Sequence, residues 1–299
     1  MPNTLVHLGI QGLGSRLISK KIDLKWVFLG CIIPDIPWIL RRAILSLDTS
    51  IDIYDLRLYT LVQASFLFCL VLSAVFALLS EKPRLVFVIL AVNSLLHLLL
   101  DSVEIKWGNG IHLLAPFDWQ LLNFGLVWPD STLVAILSMT GFLFCLWALF
   151  HSPPAALRIQ LKNRLRLLTA LLLFSVYTIA PLAFLTGPYS ADVNSIATLK
   201  EKQNRIGKEL YMDRQTYRRS DEGDTVLTFT GEPLRIIGDQ QATDNSKVSL
   251  IGKFVDYDAI HVHHFHEYHS PWRDWASYTG LGLFALTWLI ALVRQREKR

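Results

Sequence analysis

Asn93, His97 and Asp101 recur at intervals of four in an otherwise apolar run, and Gly108-Asn-Gly-Ile-His-Leu-Leu-Ala-Pro116 follows them. That spacing stacks the three side chains on one face of a helix. An imidazole and a carboxylate one turn apart can ligate a metal or take up a proton. The run, 83–101, reads as membrane-spanning, and ionisable groups at such depth face a bundle interior, a partner or an ion rather than lipid.

The elements that must position this stripe are apolar helices. The 299-residue chain is 52% hydrophobic and only 18% charged, with a mean hydropathy of +0.36; soluble domains average about 25% charged residues. Apolar runs near the length a bilayer core requires predict spans close to 24–41, 60–80, 83–101, 131–150, 167–186 and 276–293. Trp26, Trp128 and Trp275 fall near span ends, where indole rings favour the interface. The expected fold is mainly α, a polytopic transmembrane bundle with a small extracytoplasmic β-rich domain. Residues 1–186 would form the membrane-embedded part carrying the site, 187–275 an outer helix-plus-β domain, and 276–299 a last transmembrane helix with a basic tail.

The net charge of +4 follows topology and gives no reason to expect a nucleic-acid partner. Arg158, Lys162, Arg164 and Arg166 crowd one loop, and Arg294, Arg296, Lys298 and Arg299 form the tail; the positive-inside rule makes both cytoplasmic. Two spans lie between them, so 187–275 and the 102–130 loop are expected outside, in a bacterial inner membrane. Cys31, Cys69 and Cys145 all fall in spans and are read as buried small hydrophobes, with no disulfide framework. Residues 4–18 lack the basic n-region and cleavage site of a signal peptide. If that stretch dips into the membrane with Arg16, Lys20, Lys21 and Lys25 inside, His7 lies at its outer end. Asp35 and Asp101 then approach the same level.

The candidate metal set is therefore His7, Asp35, His97 and Asp101, with His112 as an addition. Such nitrogen and carboxylate donors suit zinc, and also manganese or iron. Asp101 could ligate directly or orient His97, and Asp35 or Asp101 could accept a proton. Asp35 lies in Ile-Ile-Pro-Asp-Ile-Pro-Trp, whose prolines weaken the helix; broken helices at membrane depth line protein cavities. The competing reading is a polar cluster that only holds helices together.

These residues resemble a known family. Val-His7-Leu-x-x-x-Gly12, Pro34-Asp35, and Leu-His97-Leu-Leu-Leu-Asp101 followed by Gly110-x-x-Leu-Leu-x-Pro116 are similar to the YdjM-like membrane-bound metal-dependent hydrolases, distantly grouped with zinc phospholipase C and P1 nuclease. The resemblance covers roughly residues 1–120. It implies His7, Asp35, His97 and Asp101 as metal positions and hydrolysis, of a phosphoester or lipid-linked substrate, by metal-activated water. The chain departs from the family pattern at Pro37, where a second acid is usual, and at Leu56 and Leu61, where the family's His-Arg-Gly-x-Thr-His carries histidines. Arg57 and Thr60 of that motif are kept, and Arg57, with His112, is a candidate substrate or anion contact. The departures leave ligands for one metal, or for a catalytically silent site.

Downstream, residues 191–220 carry alternating charges and read as a helical connector. Thr225–Thr230, Leu234–Ile237, Val248–Ile251 with Phe254-Val255, and Ala259–Tyr268 then read as strands of a small sandwich or barrel. The last holds His261-Val-His263-His264-Phe-His266-Glu-Tyr-His269. Strand alternation puts His261, His263 and His269 on one face as a possible secondary metal set, against the alternative of an exposed polar strand edge. No internal repeat supports a transporter, and no nucleophile elbow, Walker loop or His-Glu-x-x-His is present. A metal-dependent hydrolase is the expectation, and a non-catalytic membrane scaffold or partner-binding protein the alternative.

Overall fold

The structure is a computed structural model that describes residues 3–47, 50–221 and 223–296. Eleven α-helices and one five-stranded barrel make up these residues: α1 (Thr4–Ile18), α2 (Leu24–Ile32), α3 (Ile36–Leu47), α4 (Ile53–Gln63), α5 (Phe66–Leu78), α6 (Pro83–Val103), α7 (Thr132–His151), α8 (Arg164–Ile179), α9 (Thr186–Ser190), α10 (Ile196–Lys200), β1 (Glu209–Arg218), β2 (Thr225–Leu227), β3 (Pro233–Ile237), β4 (Lys247–Phe254), β5 (Ala259–Tyr268) and α11 (Trp272–Arg296).

Among the described residues, four helical segments are long and apolar enough to cross a membrane: Pro83–Val103, Thr132–His151, Arg164–Ser190 and Trp272–Gln295. On α7 the large side chains Leu133, Ile136, Met139, Leu143, Trp147 and Phe150 are exposed on the outside of the bundle, as a helix able to cross a membrane would require. Two expected spans are broken. The 60–80 run bends by 69° between α4 and α5. The 24–41 run stops as an α-helix at Ile32, passes through a 3-10 turn at Ile33–Asp35 and resumes as α3. Pro34 and Pro37 remove two backbone donors there, which ends the regular ladder. Nine residues rise only about 13 Å, less than half a bilayer core. Of the basic tail, Lys298 and Arg299 lie outside the described residues.

Helix α1 is seated by glycine. A Cβ at Gly9 would overlap the Cα of Gly141 on α7, one at Gly141 would overlap the Leu5 carbonyl oxygen, and one at Gly280 on α11 would come within 2.7 Å of Thr4 Cβ. Small residues let membrane helices approach this closely, and His7 lies between these contact points.

The strands close into a barrel of order β1-β2-β3-β5-β4. All pairs are antiparallel except β3 with β5. Leu210, Val226, Leu234, Val248, Leu250 and Ile260 fill its interior with no exposed surface, each contributing about 1.5–3 kcal/mol by burial. The charged connector is corrected here: 209–218 is strand, not helix. Its apolar residues alternate inward from Leu210 to Met212, and a bulge between Met212 and Gln215 then shifts the phase before Tyr217. The mixed charges belong to the outward positions and the bulge.

A buried ion pair ties the connector to the barrel. Arg205, with no exposed surface, donates from Nη1 and Nη2 to the Glu232 carboxylate at 2.9 and 2.8 Å, and to the carbonyls of Thr198, Leu199 and Tyr257. Hydrogen bonding to Arg205 holds the Glu232 pKa below its ordinary value. The stabilisation from this lowered carboxylate is present above pH 4.5 and lost as pH falls through the folded-state pKa. Glu232→Ala is expected to destabilise the barrel by about 3–5 kcal/mol, because a buried guanidinium loses its counter-ion; limited trypsin digestion of the full chain, followed over temperature, reads this.

The barrel rests on the helical part through specific contacts. Tyr54 Oη donates to the Leu199 carbonyl, Lys200 pairs with Asp55 at 2.8 Å, and Arg214 pairs with Asp274 at 3.0 Å. His266 stacks on Trp128 with ring centroids 3.7 Å apart and reaches Asp130 at 3.2 Å.

Candidate metal centre

Helices α1 and α6 and the turn after α2 bring four polar side chains to one buried point. His7 Nε2 lies 3.3 Å from Asp101 Oδ1, and His97 Nε2 lies 3.6 Å from Asp35 Oδ1 and 3.9 Å from Asp101 Oδ2. The two imidazoles stack face to face, centroids 3.8 Å apart and planes 9° from parallel. His7 is fully buried, and His97, Asp101 and Asp35 nearly so.

Hydrogen bonding fixes what His97 offers. Its Nδ1 lies 2.6 Å from the Cys31 carbonyl oxygen. A carbonyl only accepts, so Nδ1 carries the proton and Nε2 is turned towards Asp35 and Asp101. A lone pair facing two carboxylates is repulsive unless a proton or a cation lies between them. Among the described residues, His7 Nε2, His97 Nε2, Asp35 Oδ1 and Asp101 Oδ1 are all buried without a hydrogen-bond partner. Unsatisfied polar atoms cost about 1–3 kcal/mol each; these four lie close enough to share protons or to hold an ion between them.

His7, His97 and Asp101 each offer a ligand atom within 4.8 Å of the others, and they form the one such group of three among the described residues. Asp35 touches this group through His97. His112 does not join it: its Nδ1 donates to the Trp119 carbonyl at 2.9 Å on the wall of the cavity above. The secondary set is corrected. His261 and His263 are exposed, with rings 5.1 Å apart. His261 and His263 thus share a face as expected, but the pairing of β4 with β5 slips between Ile251 and Gly252, which leaves His263 without a partner residue and breaks the alternation beyond it. His269 lies past the end of β5 beside Glu267.

Gln11 went unread in the sequence although it is four residues from His7. Its Nε2 lies 3.3 Å from His7 Nδ1, and its Oε1 accepts from Cys31 Sγ at 3.1 Å. Cys31 is thus more than a small hydrophobe, while Cys69 and Cys145 are free and buried as expected. As placed, the Gln11 amide nitrogen donates to His7 Nδ1; for His7 to present the Nε2 lone pair to an ion, Nδ1 must carry the proton and the Gln11 carboxamide must turn its oxygen towards it. Gln11→Leu is expected to weaken metal affinity about 10–100-fold, the usual loss for such a supporting partner, and Gln11→Glu to retain it; competition with a fluorescent chelator measures both.

A cavity of about 560 Å³ opens above the cluster. Asp35, His97 and Asp101 are in its floor; α3, α4, the 106–112 loop, β1, β4 and the start of α11 form its walls. Lys106 closes one side, 3.7 Å from Asp101 Oδ2 and 3.3 Å from Glu104.

Comparison with protein-family models, with curated proteins and with solved structures finds no match to this chain. The geometry must therefore carry the functional reading.

Proposed function

We propose that this chain is an integral membrane, metal-dependent hydrolase acting on a phosphoester, with its site on the extracytoplasmic side and its C-terminus in the cytoplasm of a bacterial inner membrane. The observation that carries the reading is the convergence of four buried polar ligand atoms, three of them in the floor of a cavity of about 560 Å³. Two histidines and an aspartate are the ligand count of catalytic rather than structural zinc sites, which keep a position open. The donor chemistry fits a divalent cation, zinc or manganese. Bound there, such an ion supplies a Lewis acid for a phosphoryl oxygen and makes water nucleophilic near neutral pH.

The chain's own residues supply the rest. His7, His97 and Asp101 would hold the cation. Asp35, aimed at the same point but outside the group of three, is placed to take the proton from the attacking water. Arg57, on the cavity wall, would meet the substrate's negative charge. The closed bundle behind His7 and Leu98 keeps bulk water from the rear of the site.

Detergent-purified protein assayed on p-nitrophenyl phosphate and bis-p-nitrophenyl phosphate tests this. Turnover abolished by a chelator and restored by zinc or manganese is expected. An ion held at the site without turnover of any phosphoester would instead support the non-catalytic partner-binding reading.

A further inference from the structure

The cavity wall opposite the metal ligands is strongly cationic. Apart from Lys106, which pairs with Glu104 and Asp101, it carries Arg41, Arg42, Arg57, Arg214, Lys247 and Arg273 against two carboxylates, Asp213 and Asp274. With Lys106, Asp35 and Asp101 included, the lining of this space of about 560 Å³ carries seven basic and four acidic residues, an excess of three positive charges. Arg214 and Arg273 share Asp274, whereas no carboxylate among the described residues lies within 4 Å of Arg41, Arg42 or Arg57.

These guanidinium groups are held ready rather than satisfied. Arg57 lies over the Phe229 ring at 4.3 Å and over Trp38 at 5.8 Å, which occupies its faces and leaves its edge for a planar, bidentate partner. Arg41 Nε, Arg57 Nε and Arg214 Nη1 are buried with no hydrogen-bond partner. The β1 bulge turns Arg214 to the cavity with φ of 52°, its guanidinium over Tyr268 at 4.9 Å. A bulge is a regular device for re-aiming a side chain. Crowding shows in the protonation of the barrel's contribution: burial and then Arg273 lower the Arg214 pKa, and burial, Arg214 and Arg42 lower that of Lys247.

Helix α3 shows where the ligand comes from. Leu40, Ile44 and Leu47 share one exposed apolar face, while Trp38, Arg41 and Arg42 on the other side line the cavity. A short helix with one bare apolar face and one arginine face lies in a membrane interface. In a membrane, that placement of α3 would open the cavity mouth beside lipid at headgroup level.

We infer that the cluster of Arg41, Arg42, Arg57, Arg214 and Lys247 is a binding site for a diphosphate group, and that the ligand is a lipid diphosphate whose chain leaves over α3. This deepens the hydrolase reading and rests on it for the fate of the terminal phosphate. Three excess charges match the three negative charges of a diphosphate monoester better than the single charge of a phosphodiester. Several guanidinium edges also suit several phosphoryl oxygens.

Binding separates the two readings, because it needs neither turnover nor metal. Detergent-purified full-length protein in excess EDTA is titrated calorimetrically with farnesyl diphosphate, farnesyl monophosphate, inorganic pyrophosphate and inorganic phosphate. Farnesyl diphosphate is expected to bind at least about 10-fold more tightly than farnesyl monophosphate. Arg57→Gln and Arg42→Gln should each weaken it about 10–100-fold, the scale of one lost charge-assisted hydrogen bond. Arg42 is exposed, so its variant folds even if that of Arg57 does not, and Lys253→Gln on an outward position of β4 should leave binding unchanged. Equal binding of mono- and diphosphate, or indifference to both arginine variants, overturns the proposal while leaving chelator-sensitive turnover of p-nitrophenyl phosphate untouched. Inorganic pyrophosphate binding as tightly as farnesyl diphosphate overturns the lipid source.

Discussion

In the His97→Ala/Asp101→Ala double variant, thermal unfolding is expected to stop responding to divalent metal. Wild-type protein should gain about 2.7 kcal/mol of stability when free zinc or manganese reaches roughly one hundred times its dissociation constant; the double variant should gain nothing. The increment on adding metal is the right readout. Removing His97 also opens a cavity and takes the donor from the Cys31 carbonyl, so the metal-free variant starts from a lower baseline whichever reading holds. A cluster that only packs helices together predicts no increment in either protein. The same variant should lose chelator-sensitive phosphoester turnover by on the order of 10³-fold or more, since the several kcal/mol supplied by a metal to charge development vanish with it.

Gly141→Leu is expected to abolish metal binding although every ligand residue stays in place. Helix α1 carries His7 and contacts α7 backbone to backbone, where a Cβ at Gly141 would run into the Leu5 carbonyl. A leucine must push the two helices apart, and overpacking of this kind costs about 1–3 kcal/mol even where only side chains have to yield. His7 is two residues from Leu5, so its Nε2 leaves the group of ligand atoms. Displacements near 1 Å already cost about 100-fold at such sites. Gly14 sits on the same helix with open space around its Cβ position. Gly14→Ala should therefore stabilise the chain by up to about 1 kcal/mol through helix propensity alone, with full metal retention. Equilibrium dialysis of both variants against zinc compares them.

The candidate ligands were legible in the sequence where local geometry decides position. His97 and Asp101 share a helical face by spacing, and Pro34 announces the broken helix that delivers Asp35. Gln11 was equally legible, one turn from His7, but its role depends on Cys31 arriving from α2. The barrel strands from Thr225 onward followed from alternation and turn residues. Strand β1 did not, because the bulge at Asp213 and Arg214 shifts its phase and fills the gap with charge. The arginine wall was out of reach for a different reason: α3, α4, β1 and β4 meet only when the barrel docks on the helices, and no local pattern encodes that. At Leu61, where the resembled family carries a histidine, the side chain packs with Leu58, Val193 and Ile196. Apolar packing there leaves no second group of ligands among the described residues.

Elemental analysis of purified wild-type protein and of the His97→Ala/Asp101→Ala variant, both equilibrated with zinc and then desalted, tests the metal centre most directly. About one ion per chain in the wild type and none in the variant is the predicted result. The same negligible content in two folded proteins would mean that the buried histidines and aspartates hold helices and not a cation.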